Sequence, residues 1–338
     1  MARGGKFFFD ALDPRWSAKS IGMERTPLKH KARIPPLIRL NLGFFESFAS
    51  RARSSDFRRL FRVSREVFVQ VVSGIEPVWE SVTSVSRGRT ASTRPGPRER
   101  VCTPSEGLAI FLMFNSNYGV SYELLSLLFD ISISSVCRYL SLVMRLMTER
   151  FRGEISWPTQ EERSVLQNIG CIMTRGFLPG TIGFVDGTHF RIWKPKVSPD
   201  AYYNGRLHHH SFIAQVVVGT NRRILCARIG DPGLRHDSAC FRDMDLYTSP
   251  RRYFSPGQYL LADSAYERTS TCQTVTKRGR GGESPLQHEL KRTRVLIEHC
   301  FGIWKSCWRR LLGKVLFSDS DAVRYVHSLA IIYNLSLN

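Results

Sequence analysis

IGFVDG, residues 182–187, is the stretch from which the fold is read. Ile182, Phe184 and Val185 make a short apolar run of β-forming residues that closes on a carboxylate, Asp186, and a glycine, Gly187. An ionised carboxylate at the end of an apolar strand is costly to bury alone, so it must be paired, hydrogen-bonded or metal-bound. Working outward, FRIW (190–193), FIAQVVVG (212–219) and RILCARIG (223–230) have the same strand character, and Asn221-Arg222 between the last two predicts a hairpin. HDSACFRDMDLY (236–247) reads as a helix with Asp237 or Ser238 as its cap. YLLAD (259–263) is a second buried-type strand ending on an acid, Asp263. Residues 288–312 form a long helix, along which Ile297, Phe301, Trp304 and Trp308 recur on one face.

Three strands, a helix, a strand and a helix predict an RNase H-like mixed sheet flanked by helices, occupying residues 155–338. In that order the first and fourth strands are neighbours. Asp186 and Asp263 then converge at one sheet edge, and Glu298, at the margin of the last helix's apolar face, can reach it. Arg294, one turn before Glu298, can hold that side chain in place. Taken singly, each acid reads as an ordinary cap or surface ion pair. Taken together, they repel one another, and a divalent cation relieves that repulsion. An all-oxygen donor set suits Mg²⁺ or Mn²⁺, and two such ions ~3.5–4 Å apart serve phosphodiester chemistry.

Charge agrees with that chemistry. The chain has 338 residues, with 49 Lys+Arg against 29 Asp+Glu, a net charge of +20 and a pI near 10.1. So basic a chain calls for a polyanionic partner, nucleic acid first and an anionic membrane surface second, and argues against a metal phosphohydrolase acting on small molecules. A hydrophobic content of 42% excludes a disordered chain. No apolar run reaches the ~18–20 residues of a membrane span, and the basic, aromatic start has no apolar core of a secretory signal. The eight cysteines include no Cys-x-x-Cys pair, which argues against a zinc ribbon or a disulfide scaffold and for reduced thiols in the cytosol or nucleus.

Upstream of the strands, residues 1–36 read as a basic tail and residues 40–152 as a helical, candidate DNA-binding region. Phe57, Leu60, Phe61, Phe68, Val71, Val72 and Ile75 fit one or two amphipathic helices, with Ser64 capping the second and Pro77 stopping it. Residues 83–100 are rich in Ser, Arg, Pro and Gly, a solvated linker or a phosphate-contacting arm. Thr103-Pro104-Ser105-Glu106 carries a capping box. The following helices, with a short turn at Asp130–Ser132, are compatible with a helix-turn-helix and equally with plain helical packing. Lys305, Arg309 and Arg310 on the last helix, with Arg278 and Arg280 in a basic glycine-rich loop, are candidate phosphate contacts. His208, His209 and His210 cannot all face one ion from a strand and read as surface residues. His189 and His236 stand close in sequence to the acids, and packing is the favoured reading for both. For Trp193, Trp304 and Trp308 core burial is favoured over base stacking.

FVDGTHFRIWKP (184–195), residues 202–238, LADSAY (261–266), RVLIEHCFGIWKSCWRRL (294–311) and the closing HSLAIIYNLSLN together resemble the PIF/Harbinger DDE transposases and the nucleases domesticated from them. The resemblance covers roughly residues 45–338. It implies an RNase H-like core that cuts double-stranded DNA with divalent metal, with Asp186, Asp263 and Glu298 as the acidic triad. It adds Asp237, in the His-Asp-Ser block, as a further metal ligand, a role that competes with that of a helix cap. It further implies nuclear localisation and a separate Myb-like partner, and the synapsis of two DNA ends implies a homodimer. One departure stands out: the stretch after Asp263, ERTSTCQTVTKRGRGGESPLQ, replaces the family's apolar, proline-containing segment with a basic loop. The alternative function is a domesticated DNA-binding or interaction protein that keeps the fold without cleavage.

Overall fold

The computed structural model describes residues 44–85, 101–274, 285–317 and 319–337. The tail at 1–36, most of the 83–100 linker, Arg278 and Arg280 lie outside the described residues, as does the side chain of Arg294. The chain divides into two compact units. One holds Ile155–Ile303 and Lys314–Val323, the other the residues up to Glu154 together with Trp304–Gly313 and Arg324–Asn338.

The second unit is helical. Helices α1 (Phe44–Arg51), α2 (Ser54–Phe61) and α3 (Arg65–Val85) meet through aromatic rings, with Phe57 and Phe61 centroids 4.6 Å apart and Phe61 and Phe68 5.6 Å apart. Ser64 Oγ accepts from the Val67 amide at 3.3 Å, the expected cap. Pro77 does not stop α3, which continues eight residues further. An interior proline costs about 3 kcal/mol. Trp79 beyond it stacks on Tyr139 at 5.8 Å and donates Nε1–H to the Cys102 carbonyl at 2.9 Å. That burial and hydrogen bond together are worth about as much as the proline costs. Helix α4 (Pro104–Ser116) opens with the expected capping box: Thr103 Oγ1 accepts from the Glu106 amide at 3.2 Å, and Glu106 accepts from the Thr103 amide at 2.9 Å. Helices α5 (Tyr122–Phe129) and α6 (Ile133–Arg150) turn through 98° across Asp130–Ser132. Asp130 takes the left-handed conformation (φ 50°), and Ser132 Oγ caps α6 through the Ser135 amide at 3.1 Å. The angle and the short turn are those of a helix-turn-helix. Among the described residues no single helix is long and apolar enough to cross a membrane.

The other unit is built on a sheet. Helix α7 (Gln160–Met173) leads into β1 (Thr181–Arg191), which unites the IGFVDG run with the start of FRIW. Then come α8 (Pro199–Tyr202), β2 (Tyr203–Asn204), β3 (His209–Gly219), β4 (Ile224–Pro232), α9 (Asp237–Arg242), α10 (Asp245–Thr248), β5 (Tyr259–Ala262), β6 (Cys272–Thr274) and α11 (Pro285–Cys307). The sheet runs β4-β3-β1-β5-β6, with β2 pairing the first residues of β3. β1 is antiparallel to β3 and parallel to β5, giving a mixed sheet of RNase H-like order. The expected hairpin joins β3 to β4, with Arg222 at φ 69°. The helix read over 236–247 is two short helices broken at Asp243-Met244. Leu166, Val185, Val217, Phe241, Met244 and Leu260 share one buried core. Helix α7 comes close to β1 at Gly170, where a Cβ would lie 2.1 Å from the Thr181 carbonyl oxygen. All eight cysteines are free thiols, and burial pushes those of Cys240 and Cys272 up to about 12.

Residues Trp304–Gly313 and Arg324–Asn338, the latter including most of α12 (Asp319–Leu335), complete the helical unit. Trp304 and Trp308 are buried, as their periodicity predicts. Tyr325 donates its hydroxyl to Asn115 Oδ1, and Asn334 Nδ2 donates to the Glu154 carbonyl at 2.8 Å. Arg310 was expected among the phosphate contacts. It instead donates to the Phe114 carbonyl at 2.8 Å and to the Val120 carbonyl, with its guanidinium 3.7 Å from the Phe114 ring centroid. Arg310→Ala strips two carbonyls of their partner and removes a cation–π contact, so it should cost about 2–3 kcal/mol of stability. Denaturant unfolding would measure this, and a variant as stable as the parent would return Arg310 to the surface.

Candidate active site

The last backbone pairs of the parallel β1–β5 ladder are Gly183↔Leu260 and Phe184↔Leu261. Asp186 lies two residues past Phe184 on β1, and Asp263 directly follows the last residue of β5. Both carboxylates are half-buried. Each accepts from the amide that follows it: Asp186 Oδ1 from Gly187 at 2.9 Å, and Asp263 Oδ1 from Ser264.

Asp237 joins them, and not as a cap. The N-cap position of α9 is His236, which makes no side-chain cap bond, and Asp237 is the first helical residue. Its carboxylate lies over Gly187 of β1, where a Cβ would meet Asp237 Oδ1 at 2.3 Å and Cγ at 2.6 Å. Glycine is what lets the carboxylate approach the strand so closely. Burial raises the Asp237 carboxyl above its ordinary value; Arg206 and His236 pull it down, and Asp263 pushes it up. Asp237 and Asp263 thus feel one another as like charges.

Two polar residues that the sequence reading passed over lie beneath this group. Gln215 faces Gly187 across the β1–β3 ladder and is fully buried. Its Nε2 donates to the Tyr266 hydroxyl at 2.8 Å, while its Oε1 has no hydrogen-bond partner among the described residues. Tyr266 is also buried, and burial together with the Asp186 and Asp237 carboxylates raises its phenol far above the ordinary range, so it stays protonated. Because its oxygen accepts from Gln215, its own hydrogen is left to donate. The available signal was a glutamine inside the apolar run FIAQVVVG, since a buried amide demands a partner. Tyr266→Phe removes that partner and should cost about 1–3 kcal/mol, whereas Gln215→Leu combined with Tyr266→Phe should be nearly neutral. Thermal unfolding of the three variants would test this, and a double variant less stable than either single one would refute it.

The remaining candidates are dispersed. Glu298 is exposed on α11. His189 Nδ1 lies 3.1 Å from the buried Ser211 Oγ. His209 Nδ1 lies 2.7 Å from the Leu207 carbonyl oxygen, and His210 packs edge-on to Tyr203 at 5.3 Å, so the three successive histidines have separate surroundings. Arg309 is exposed, but Lys305 is half-buried and burial lowers its ammonium to about 8. Trp193, unlike the other two tryptophans, is exposed.

Among the described residues no three His, Cys, Asp or Glu side chains form a closed metal-binding cluster. The donor chemistry nevertheless fits a hard divalent cation: Asp186, Asp237 and Asp263 offer carboxylate oxygens only, and the mutual repulsion of Asp237 and Asp263 is what such an ion relieves. No curated protein and no solved structure matches the chain. A family model does match, and its span takes in all three aspartates and Glu298. Residues 185–334 match the family model described as DDE superfamily endonuclease.

Proposed function

We propose that the chain is a divalent-metal-dependent DNA endonuclease of PIF/Harbinger transposase type, which cuts phosphodiester bonds at transposon ends and joins those ends to target DNA. The observation that supports this reading is the parallel pairing of β1, which carries Asp186, with β5, which Asp263 follows directly, while the Asp237 carboxylate lies against β1 at Gly187. In it, Asp186 and Asp263 are the principal ligands of Mg²⁺ or Mn²⁺, with two ions expected, Asp237 is a further ligand, and Glu298 completes the set. When bound, the metal supplies electrophilic stabilisation of the charge that builds on phosphate oxygens. Gly187 and Ser264 hold the two principal carboxylates through their amides. Tyr266, held by Gln215, keeps its hydroxyl protonated near the Asp186 and Asp237 charges.

A net charge of +20 supports double-stranded DNA as the substrate. Joining two ends to one target calls for a homodimer, and the resemblance to PIF/Harbinger proteins adds nuclear localisation and a Myb-like partner. The test is cleavage of DNA spanning the flanks of its own locus, with and without Mg²⁺ or Mn²⁺, by the parent chain and by Asp186→Asn. DNA binding with no nicking under any metal condition would replace this reading with that of a non-cleaving DNA-binding protein, a role for which the 98° helix pair α5–α6 is suited.

A further inference from the structure

Trp193 is 61% exposed just past the end of β1. An indole so open presents a flat π-face on which a planar partner can stack. Its position is fixed by the backbone on both sides. The Ile192 amide donates to the His210 carbonyl at 2.9 Å, and the Val315 amide donates to the Arg191 carbonyl at 2.8 Å, so that Lys314 pairs with Arg191 as a one-residue parallel bridge. The Lys314 ammonium stands 3.8 Å from the centroid of the Trp193 ring. One face of the ring is thus backed by a cation, and the exposure leaves room for a second partner.

The surroundings define that partner. Arg191, Lys194 and Lys196 flank Trp193 within six residues that include no acid, and all three are exposed. An aromatic plane set among cations matches a nucleotide, with the base on the ring and phosphate on the charges. Stacking requires an open base face, which an intact duplex does not present, since its grooves expose only base edges. Duplex contact through the lysines alone would leave the indole unused.

We propose that Trp193 is a stacking platform for an unpaired DNA base, with Arg191, Lys194, Lys196 and Lys314 holding the adjoining phosphates. The proposal rests on the reading of the chain as a DNA-cutting enzyme, because it assigns to this site the strand that leaves the acids. From Asp186 the extended chain covers about 20 Å to the platform.

The experiment measures binding of the full chain in EDTA, so that nothing depends on cleavage. The probes are a DNA end with a single-stranded overhang of about eight nucleotides and the same duplex with a blunt end. Trp193→Ala should weaken overhang binding by about tenfold or more and leave blunt binding unchanged. Trp193→Phe should restore most of the loss, because the plane is what matters. The salt slope of overhang binding should stay the same in Trp193→Ala and fall by about 0.7 in Lys194→Ala, since only the latter removes a phosphate contact. Equal affinity of Trp193→Ala and the parent for the overhang overturns the proposal. So does an equal loss on blunt and overhang ends, which would mean a duplex contact or a folding defect. If the parent cuts no DNA under any metal condition and the Trp193-dependent overhang preference persists, the nuclease reading falls and the platform stands. Cleavage with no such preference has the reverse meaning.

Discussion

Asp186→Asn is expected to lower Mg²⁺-dependent cleavage by about 10³-fold or more while DNA binding in EDTA stays within about threefold of the parent. The substitution keeps the side chain's shape and replaces one carboxylate oxygen with an amide nitrogen. The amide oxygen can still accept from the Gly187 N–H, so β1 and its pairing with β3 and β5 are retained. What is lost is one negative charge on β1. Asp263→Asn should behave alike, and because the two acids serve one site, the double variant should be little worse than either single one. Glu298→Gln is the informative companion: a comparable loss would give the exposed helical acid a place in the site, and near-parent activity would leave it on the surface of α11. Full cleavage by Asp186→Asn would sink the assignment of the acids altogether.

The second large effect is expected at a residue with no side chain. In Gly187→Ala the new methyl group would collide with the Asp237 carboxylate, which is 2.3 Å away at its nearer oxygen. The atom in the way is the tip of a side chain, so the clash is relieved by swinging that carboxylate out rather than by moving the sheet. The expected outcome is a loss of activity of about 10²-fold with a stability change under about 1 kcal/mol, reached with every acid intact. Asp237→Ala should give the same loss without the clash. Since both changes remove the same carboxylate from the same place, their combination should be no worse than Asp237→Ala alone, a strong departure from additivity. Additive losses in the double variant would mean that Gly187 acts through something other than Asp237.

Much of this site was legible in the sequence for a specific physical reason. Asp186 and Asp263 each end an apolar strand run, and a carboxylate in that position needs a purpose. Asp237 was legible as a residue and not as a role, because an aspartate at a helix start is equally well explained as a cap; in the fold the N-cap position is His236, and the Asp237 carboxylate lies against Gly187. Tyr266 and Gln215 were missed because their partnership joins residues far apart in the chain. Pro77 misled because local propensity was overruled by the burial of Trp79. β6 escaped notice because three residues pairing in parallel with β5 leave no periodicity to read. The exposure of Trp193 and the engagement of Arg310 share a cause: neither aromatic content nor charge reveals what lies opposite a side chain once the chain has folded.

The division of the chain bears on how the protein is made. The helical unit is started by the residues before Glu154 and completed by Trp304–Gly313 and Arg324–Asn338, through bonds such as those of Arg310 with Phe114 and Asn334 with Glu154. Synthesis proceeds from the N-terminus at about 5–20 residues per second, so helices α1–α6 are made well before the segments that complete their unit. For the intervening 150 or so residues, roughly ten to thirty seconds of translation, helix α4 waits without the partners that will cover it. A chain cut short just before α12 therefore leaves both folding units incomplete.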